Sequence, residues 1–315
     1  MRQSQTLMIG AILAMLAATG VLLADDIGQA GARLVRADEG DMLARARAGD
    51  RIVLEPRDYG TLRVIGRRFD PAVTIVAGQA RFSQIIVKQS SGVRIEGGTV
   101  IGPGGKSYGV TLNGVDNVQI DGMTITGAHR GIVIGGAHDL AIVNVRLDGL
   151  ISDGIDVTQS QRVRISGATC RNFAPNASQY DADGKRISSG DHPDCIQAWS
   201  KAGTAPVADV IVENVDAEGR MQGIFFGDKA PNGGFDRVIV RNNRIHVTYP
   251  NGIVLQNARD SVVTGNRVST LPGGFNPRHP ERRNRTNIRA DGGGNRVCGN
   301  SIADFPGSPA TDRCR

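Results

Sequence analysis

The chain has 315 residues, and its 37 Lys and Arg residues against 31 Asp and Glu residues give a net charge of +6. Charged residues make up 22% and apolar residues 40%, which excludes a disordered chain or a coiled coil. Only 4% of the residues are aromatic whereas 42 are glycine, so we expect short strands joined by tight turns, and the positive charge favours an anionic partner.

The first predicted element is an export signal. Arg2 precedes an uncharged stretch from Leu7 to Ala24 that is rich in Leu, Ile, Met and Ala. This pattern predicts a signal peptide over residues 1–24, with cleavage as late as residue 30. The alternative is an uncleaved membrane anchor, because the stretch approaches the length that spans a bilayer. After cleavage we expect a secreted or periplasmic protein that does not associate with a membrane.

The next predicted element is a short amphipathic capping helix over residues 41–49. The first strand follows it and contains Arg51, Ile52 and Val53. Such a lid is needed in front of a stacked repeat, because the first repeat would otherwise expose its apolar interior.

A bend recurs along the rest of the chain. Eight apolar segments each carry Gly or Asn three residues before their last apolar position, and these are the residue types that adopt a left-handed backbone at least cost. The eight positions are Gly97, Gly122, Asn144, Gly167, Asn214, Asn242, Gly265 and Gly299. The shortest steps between them are 22 and 23 residues, as from Gly122 to Asn144 and on to Gly167, and the longer steps indicate loops inserted into the same coil.

A second set of runs aligns without gaps. These runs begin at Gly109, Gly131, Gly154, Cys195, Gly223 and Gly252. Their second and fourth members are apolar throughout and are predicted to face one interior, whereas the third members vary and are predicted to face outward. The sequence therefore predicts an all-β, parallel β-solenoid as one domain over residues 31–315, with inserted loops at 171–191 and 270–286.

The four cysteines fit an oxidising compartment. No Cys-x-x-Cys pair is present, which argues against structural zinc. The repeat predicts buried thiols at Cys170 and Cys195. Cys298 and Cys314 flank the carboxyl-terminal tail and are the candidates for a disulfide that staples it.

The helix cap followed by Gly-Asp-Arg-Ile-Val-Leu, the Gly and Asn bends and the ladders of Val and Ile resemble the pectate lyase-like superfamily. This resemblance implies a right-handed, single-stranded parallel β-helix. It does not select an activity, because that superfamily includes lyases, hydrolases, esterases, epimerases and adhesins.

Acidic residues concentrate on two neighbouring coils of this predicted helix. Asp153 and Asp194 occupy the position just before the aligned Gly or Cys, and Asp156 occupies an outward strand position. Two carboxylates about 5 Å apart do not both ionise cheaply, so the three residues predict an acid/base pair, a proton-sharing pair or a calcium site. The structural alternative is that Asp153 only stabilises the turn before Gly154.

The runs Ser-Asp-Gly-Ile-Asp around Asp153 and His-Pro-Asp-Cys-Ile around Asp194 resemble the polygalacturonase signature. That resemblance implies catalytic roles for Asp153 and Asp194. Pro193 stands where the family has its general acid, Gln222 stands where it has a His, and its basic clamp is replaced by Val254-Leu255-Gln256. His192 is a candidate for the missing proton carrier, and the alternative is that it only binds the turn.

Other residues are predicted to bind the substrate. An indole face suits a sugar ring, amides and carboxylates suit its hydroxyl groups, and cations suit a uronate. The predicted substrate-binding residues are Asp156, Gln197, Trp199, Arg130, Gln222 and Arg289. The inserted loop carries Tyr180, Lys185 and Arg186, which are candidates for the groups that β-elimination needs, a cation for the uronate and a proton carrier. Calcium at Asp153, Asp156 and Asp194 is the one cofactor considered.

Together these patterns predict an exported enzyme, acting as a monomer, that cleaves an acidic, uronate-containing polysaccharide by β-elimination. The alternatives are a polygalacturonase-like glycoside hydrolase and a non-catalytic glycan-binding or structural β-helix. A nucleic-acid partner is not expected, because export and scarce aromatic residues do not suit base stacking. Catalysis requires Asp153, His192 and Asp194 to meet in one open groove, whereas a purely structural helix would leave them dispersed or buried.

Overall fold

The computed structural model describes residues 34–36, 43, 45–227, 233–272, 275–276 and 279–303. The backbone alone is described for residues 34–36, 275–276 and 279–283. The predicted signal peptide lies outside these residues. Arg33–Arg315 forms one compact unit, and none of its described residues belongs to a helix long and apolar enough to span a bilayer.

The described residues form thirty-two strands, most of them three to seven residues long. In chain order they are β1 (Leu34–Arg36), β2 (Arg51–Val53), β3 (Thr61–Ile65), β4 (Arg68–Phe82), β5 (Gln84–Lys88), β6 (Ser91–Ile101), β7 (Tyr108–Asn113), β8 (Asp116–Asp121), β9 (Thr124–Thr126), β10 (Arg130–Gly135), β11 (His138–Val143), β12 (Arg146–Asp148), β13 (Ile155–Thr158), β14 (Gln161–Ser166), β15 (Thr169–Arg171), β16 (Gln179–Tyr180), β17 (Arg186–Ser188), β18 (Asp194–Trp199), β19 (Val207–Glu213), β20 (Asp216–Gly219), β21 (Gln222–Gly227), β22 (Phe235–Asp236), β23 (Ile239–Arg241), β24 (Arg244–Val247), β25 (Asn251–Arg259), β26 (Val262–Thr264), β27 (Arg267–Thr270), β28 (Phe275–Asn276), β29 (His279–Arg283), β30 (Asn287–Gly293), β31 (Arg296–Cys298) and β32 (Ser301–Ala303).

The chain winds through three stacks of parallel strands, one strand of each stack per coil. One stack, which we call the site sheet, runs β3, β5, β7, β10, β13, β18, β21, β25, β30. A second includes β8, β11, β14 and β19, and a third includes β9, β12, β15 and β20. Two antiparallel hairpins, β16–β17 and β28–β29, project from inserted segments.

The predicted interior is confirmed on the site sheet. The second and fourth members of the six aligned runs have no solvent-exposed surface, and they are Val110, Leu112, Ile132, Ile134, Ile155, Val157, Ile196, Ala198, Ile224, Phe226, Ile253 and Leu255. Each stacks on its counterpart one coil away, so a continuous apolar core runs through the coils.

The eight predicted bends all adopt the left-handed conformation, with φ between 52° at Asn144 and 72° at Gly97. In this region a Cβ atom meets its own backbone, so Gly and Asn are favoured. The bends turn the chain from one stack into the next and set the coil length.

The predicted capping helix over residues 41–49 is not supported. Leu43 and the described residues from Arg45 to Asp50 form turns, and the rest of that range lies outside the described residues. The Ala46 N–H donates to the Leu43 carbonyl, and the Asp50 carboxylate accepts the Arg47 N–H at 2.9 Å. Because the Asp50 side chain and a left-handed Gly49 (φ 78°) favour a turn, the segment leaves the helical path. Leu43 is nevertheless buried against the core.

The prediction of free thiols at Cys170 and Cys195 is wrong, because these residues form a disulfide. Both side chains face the interior, one from β15 and one from β18, and their Cα atoms are 5.8 Å apart, a separation that permits the bond. Cys298 is also disulfide-bonded, as predicted, and its expected partner Cys314 lies outside the described residues.

Candidate active site

Two neighbouring strands of the site sheet bring three aspartates together. Asp194 begins β18, and the register of Ile155 with Ile196 places Asp153 beside it on the preceding coil. The Asp194 N–H donates to Oδ1 of Asp153 at 3.1 Å. Asp156 lies on β13 in register with Gln197. The three aspartates that the sequence analysis singled out therefore lie on neighbouring strands of one stack.

The aspartates are more buried than the sequence predicted. Asp153 is 3% exposed, and Asp156 and Asp194 have no exposed surface. The outward position therefore does not guarantee contact with solvent, and the open groove expected above these carboxyl groups is replaced by covering side chains.

Arg130 is one of the covering residues. It lies one coil before Asp153, at the start of β10. Its Nε lies 3.3 Å from Oδ2 of Asp153, and its Nη1 donates to Oδ2 of Asp156 at 3.1 Å. The Arg130 side chain is 29% exposed whereas both acids are buried, so Arg130 is the member of this ion-pair group that solvent contacts most.

Amides hold the third acid. Nε2 of Gln197 donates to Oδ2 of Asp194 at 3.1 Å, and Gln222 on the next coil also hydrogen-bonds to this carboxyl group. Asn251, one coil further, donates to Oε1 of Gln222 and fixes its orientation. Oδ1 of Asp194 and Oδ1 of Asp156 are buried without a hydrogen-bond partner, which leaves acceptor capacity in the cluster.

The pKa values of all three carboxyl groups are raised. Burial, and then the charge of Asp153, raise the pKa of Asp156 to about 8 although Arg130 opposes the change. Burial and the charges of Asp153 and Asp156 raise the pKa of Asp194 well above its ordinary value. Burial also raises the pKa of Asp153, against Arg130, the Asp194 N–H, His192 and Ser152. The cluster therefore retains protons at neutral pH.

His192 lies beside the cluster, on the segment that returns from the 171–191 insertion. It is exposed, and it favours the ionised form of Asp153 electrostatically. Its neighbour Asp191 lies 3.2 Å from Nε2 of His129 and accepts a hydrogen bond from Asn176 at 2.8 Å. These contacts dock the end of the insertion next to the aspartates.

The remaining predicted residues are more scattered. Trp199 is half-buried on β18, in register with Thr158 and Gly227. Arg289 lies on β30, where it pairs with Val254 of β25. Its strand is four strands away from that of Asp156, which is about 19 Å at the usual strand spacing, so Arg289 does not contact the acids. Tyr180 and Arg186 are exposed on the β16–β17 hairpin, and Lys185 is exposed between its strands.

Calcium binding stays a prediction. Among the residues that the structure describes, no group of three His, Cys, Asp or Glu residues is arranged to hold a metal ion. Arg130 supplies the positive charge between Asp153 and Asp156 that a cation would otherwise supply.

Sequence reasoning missed two residues near Asp194. Tyr249 interacts electrostatically with both Asp194 and Arg220, and burial raises the pKa of its phenol. Arg220 and Tyr249 each precede a site-sheet column residue by two positions, as His192 precedes Asp194. Aligning residues two positions before Asp194, Gln222 and Asn251 would have found this second column.

Comparisons with known proteins agree with the fold. A family model described as "Right handed beta helix region" matches residues 108–278. The crystal structure of Dettilon tailspike protein is 14% identical, with a TM-score of 0.50 over 80% of this chain and 56% of that chain. The chain thus spans little more than half of the tailspike. A comparison with curated protein sequences found no match.

Two further structures are similar at lower scores. Endo-xylogalacturonan hydrolase from Aspergillus tubingensis is 15% identical, with a TM-score of 0.45 over 88% of this chain and 94% of that chain. Alginate lyase from Paenibacillus sp. is 14% identical, with a TM-score of 0.33 over 86% and 99%. At these identities the comparisons concern the fold and leave the activity open. The match to more than half of its length, together with the stacked parallel coils, shows that this chain belongs to the right-handed β-helix family.

Proposed function

We propose that this protein cleaves glycosidic bonds of an acidic, uronate-containing polysaccharide by hydrolysis at the Asp153–Asp156–Asp194 cluster. The observation that carries the proposal is the convergence of three buried carboxyl groups, of which Asp153 and Asp156 pair with the guanidinium of Arg130. Carboxyl groups that differ in their tendency to ionise are the requirement for acid/base cleavage of a glycosidic bond.

The surroundings favour different roles for the acids. Asp153 accepts hydrogen bonds from the Asp194 N–H and from Ser152, and it lies next to Arg130 and His192. These contacts favour its carboxylate, which suits a base that activates water. Asp194 is fully buried next to the charges of Asp153 and Asp156, which favours its protonated form although Arg130 and the Gln222 amide oppose it, and a protonated acid suits a donor to the leaving oxygen.

Substrate reaches the acids in this proposal when the covering side chains move. The part of the cluster that solvent contacts is mainly Arg130, with Gln197 half-buried beside it. A uronate carboxylate is a partner for Arg130 that competes with Asp153 and Asp156. An acidic sugar therefore favours movement of the guanidinium, whereas a neutral sugar does not, and this is the basis for the proposed substrate class.

β-Elimination, which the sequence analysis placed first, is the second candidate. It needs a group that neutralises the uronate, a base that removes the C5 proton and a donor for the leaving oxygen. His192 is exposed beside Asp153 and supplies a base, and Arg220, which is exposed near Tyr249, supplies a cation. The acids would then act only as proton donors, with no water entering the product.

In both candidate functions the protein is exported, which rests on the predicted signal peptide. In both it also acts as a monomer. The burial of Asp156 and Asp194 also favours a third reading, a β-helix that binds a glycan without cleaving it. The three readings differ in what the protein does to a polymer, so one assay separates them.

The protein is incubated with polygalacturonate, alginate and a neutral galactan, and each reaction is followed in two ways. Hydrolysis releases reducing ends without ultraviolet absorbance, whereas elimination gives reducing ends and unsaturated uronate that absorbs. We expect reducing ends alone, from an acidic polymer and not from the galactan, and no release by Asp153→Asn. Equal release by wild type and Asp153→Asn would contradict the proposed site, and binding without release would support the non-catalytic reading.

A further inference from the structure

An aromatic side chain that the sequence analysis did not assign lies on the site sheet next to the acids. Phe225 occupies the outward position of β21, in register with Gln197, whose amide binds Asp194. Phe225 is only half-buried, whereas Phe69, Phe82, Phe173, Phe226 and Phe235 are buried in the core. An apolar ring at an outward position exposes surface that a ligand can cover.

The position of the Phe225 ring depends on a glycine. A methyl group on Gly227 would lie 2.4 Å from Cε1 of Phe225 and 3.1 Å from Cζ. The ring therefore occupies the space above Gly227 that a side chain would fill. The backbone of Gly227 is not in the left-handed region, so the absence of a side chain is needed for the ring and not for the fold.

Trp199 completes the patch. It lies on β18 in register with Gly227, and both residues occupy outward positions. Because adjacent strands are about 4.8 Å apart, Trp199 is the neighbour across the strands of the glycine over which the Phe225 ring lies. Trp199 is the single tryptophan of the chain. Two half-buried aromatic side chains thus adjoin the amide that holds Asp194.

We infer that Phe225 and Trp199 form a binding subsite for one pyranose ring of the polysaccharide, and that Gly227 is the residue that permits it. This inference rests on the proposed function and identifies where the chain is held next to the acids. The apolar face of a pyranose ring stacks on aromatic rings, and Gln197 at the edge of the patch presents an amide to its hydroxyl groups.

The small size of the patch and its polar surroundings favour a sugar over a protein as the ligand. The patch is small, and Phe225 lies one strand spacing from Gln197, whose polar side chain is hydrogen-bonded to Asp194. A protein interface requires a much larger apolar core than two rings. A sugar has an apolar face of the size of one ring and polar edges that match the surrounding amides.

The test uses Trp199 as its own probe. Hexagalacturonate and a guluronate hexamer are titrated into Asp153→Asn protein, which prevents cleavage, and the fluorescence of Trp199 is recorded. We expect saturable binding of at least one hexamer. Phe225→Ala is expected to raise its Kd about tenfold, which corresponds to about 1.4 kcal/mol of lost aromatic stacking. Phe225→Tyr keeps the ring and is expected to stay within twofold of the parent.

Gly227→Ala is the more specific variant, because it keeps Phe225 and only displaces its ring. It is expected to raise Kd to a similar extent while leaving the melting temperature unchanged. The matched controls are Gly293→Ala, where an added methyl group meets no atom within 4 Å, and Ile101→Ala, which removes an exposed apolar side chain from β6. Both controls are expected to keep the parental Kd.

Three results would overturn the inference. They are an unchanged Kd in folded Phe225→Ala, an unchanged Kd in folded Gly227→Ala, and no fluorescence change with either hexamer. Its failure is distinguishable from failure of the proposed function. If the subsite is absent, wild type still releases reducing ends and Asp153→Asn does not. If catalysis is absent, the hexamer still binds and Phe225→Ala still weakens it.

Discussion

Asp194→Asn is expected to lower the turnover of an acidic polysaccharide by about 10² to 10⁴-fold, the usual range for the loss of a general acid. The amide has the shape of the protonated acid that the buried environment already favours, so the fold should survive. Initial rates of reducing-end release, measured beside the melting temperature, check both statements. Asp139→Asn is the control, because it removes a carboxylate from an exposed ion pair with Arg162.

Combining this substitution with Asp153→Asn shows whether the two acids act together on one bond or contribute independently to turnover. If Asp153 and Asp194 act on one bond, the loss in Asp153→Asn/Asp194→Asn should be close to that of the worse single variant. His192→Ala tests whether this exposed residue carries a proton, and it should cost a similar factor if it does. Near-normal turnover of folded Asp194→Asn would remove Asp194 from the mechanism.

Replacing both Cys170 and Cys195 by Ala is expected to lower the free energy of unfolding by about 3 kcal/mol. The disulfide closes a loop of 25 residues that contains the 171–191 insertion, and its loss increases the conformational freedom of the unfolded chain. Urea unfolding of the variant and of wild type measures the difference. Cys298 keeps its own disulfide in both proteins, so that bond does not contribute to the difference.

The disulfide also supports the site, because Cys195 directly follows Asp194. The variant should therefore lose activity at temperatures where wild type is still fully active. A change in unfolding free energy below about 1 kcal/mol would show that the coils hold the insertion without the bond.

Most of the fold was predictable because it depends on local periodicity. Alternation along a strand decides which side chains face the interior, and a left-handed bend restricts the residue type at one position in each coil. The aligned runs that follow from these rules predicted the register of Arg130 with Tyr108 and of Asp156 with Gln197. Each rule acts within a few residues and is therefore visible in the sequence.

The features that were missed depend on contacts between distant residues. Asp156 is buried and pairs with Arg130, which lies one coil away. The Cys170–Cys195 bond joins two different stacks across an insertion, and the repeat alignment treated the two residues separately. The capping helix had a suitable amphipathic pattern, but one carboxylate, that of Asp50, stabilised a turn in its place.

The pH dependence of kcat/KM on an acidic polysaccharide shows whether buried carboxylic acids cleave the substrate. A donor is active only while protonated, and the raised pKa values of Asp194 and Asp156 (about 8 for Asp156) keep protons on the cluster through neutral pH. The rate should therefore fall as the pH rises through the alkaline range, and it should also fall at low pH as Asp153 takes up a proton. Asp156→Asn should move the alkaline fall to lower pH, because the charge of Asp156 is one cause of the raised pKa of Asp194. A rate that keeps rising beyond about pH 9, as expected when a lysine or tyrosine base limits the reaction, would contradict the account.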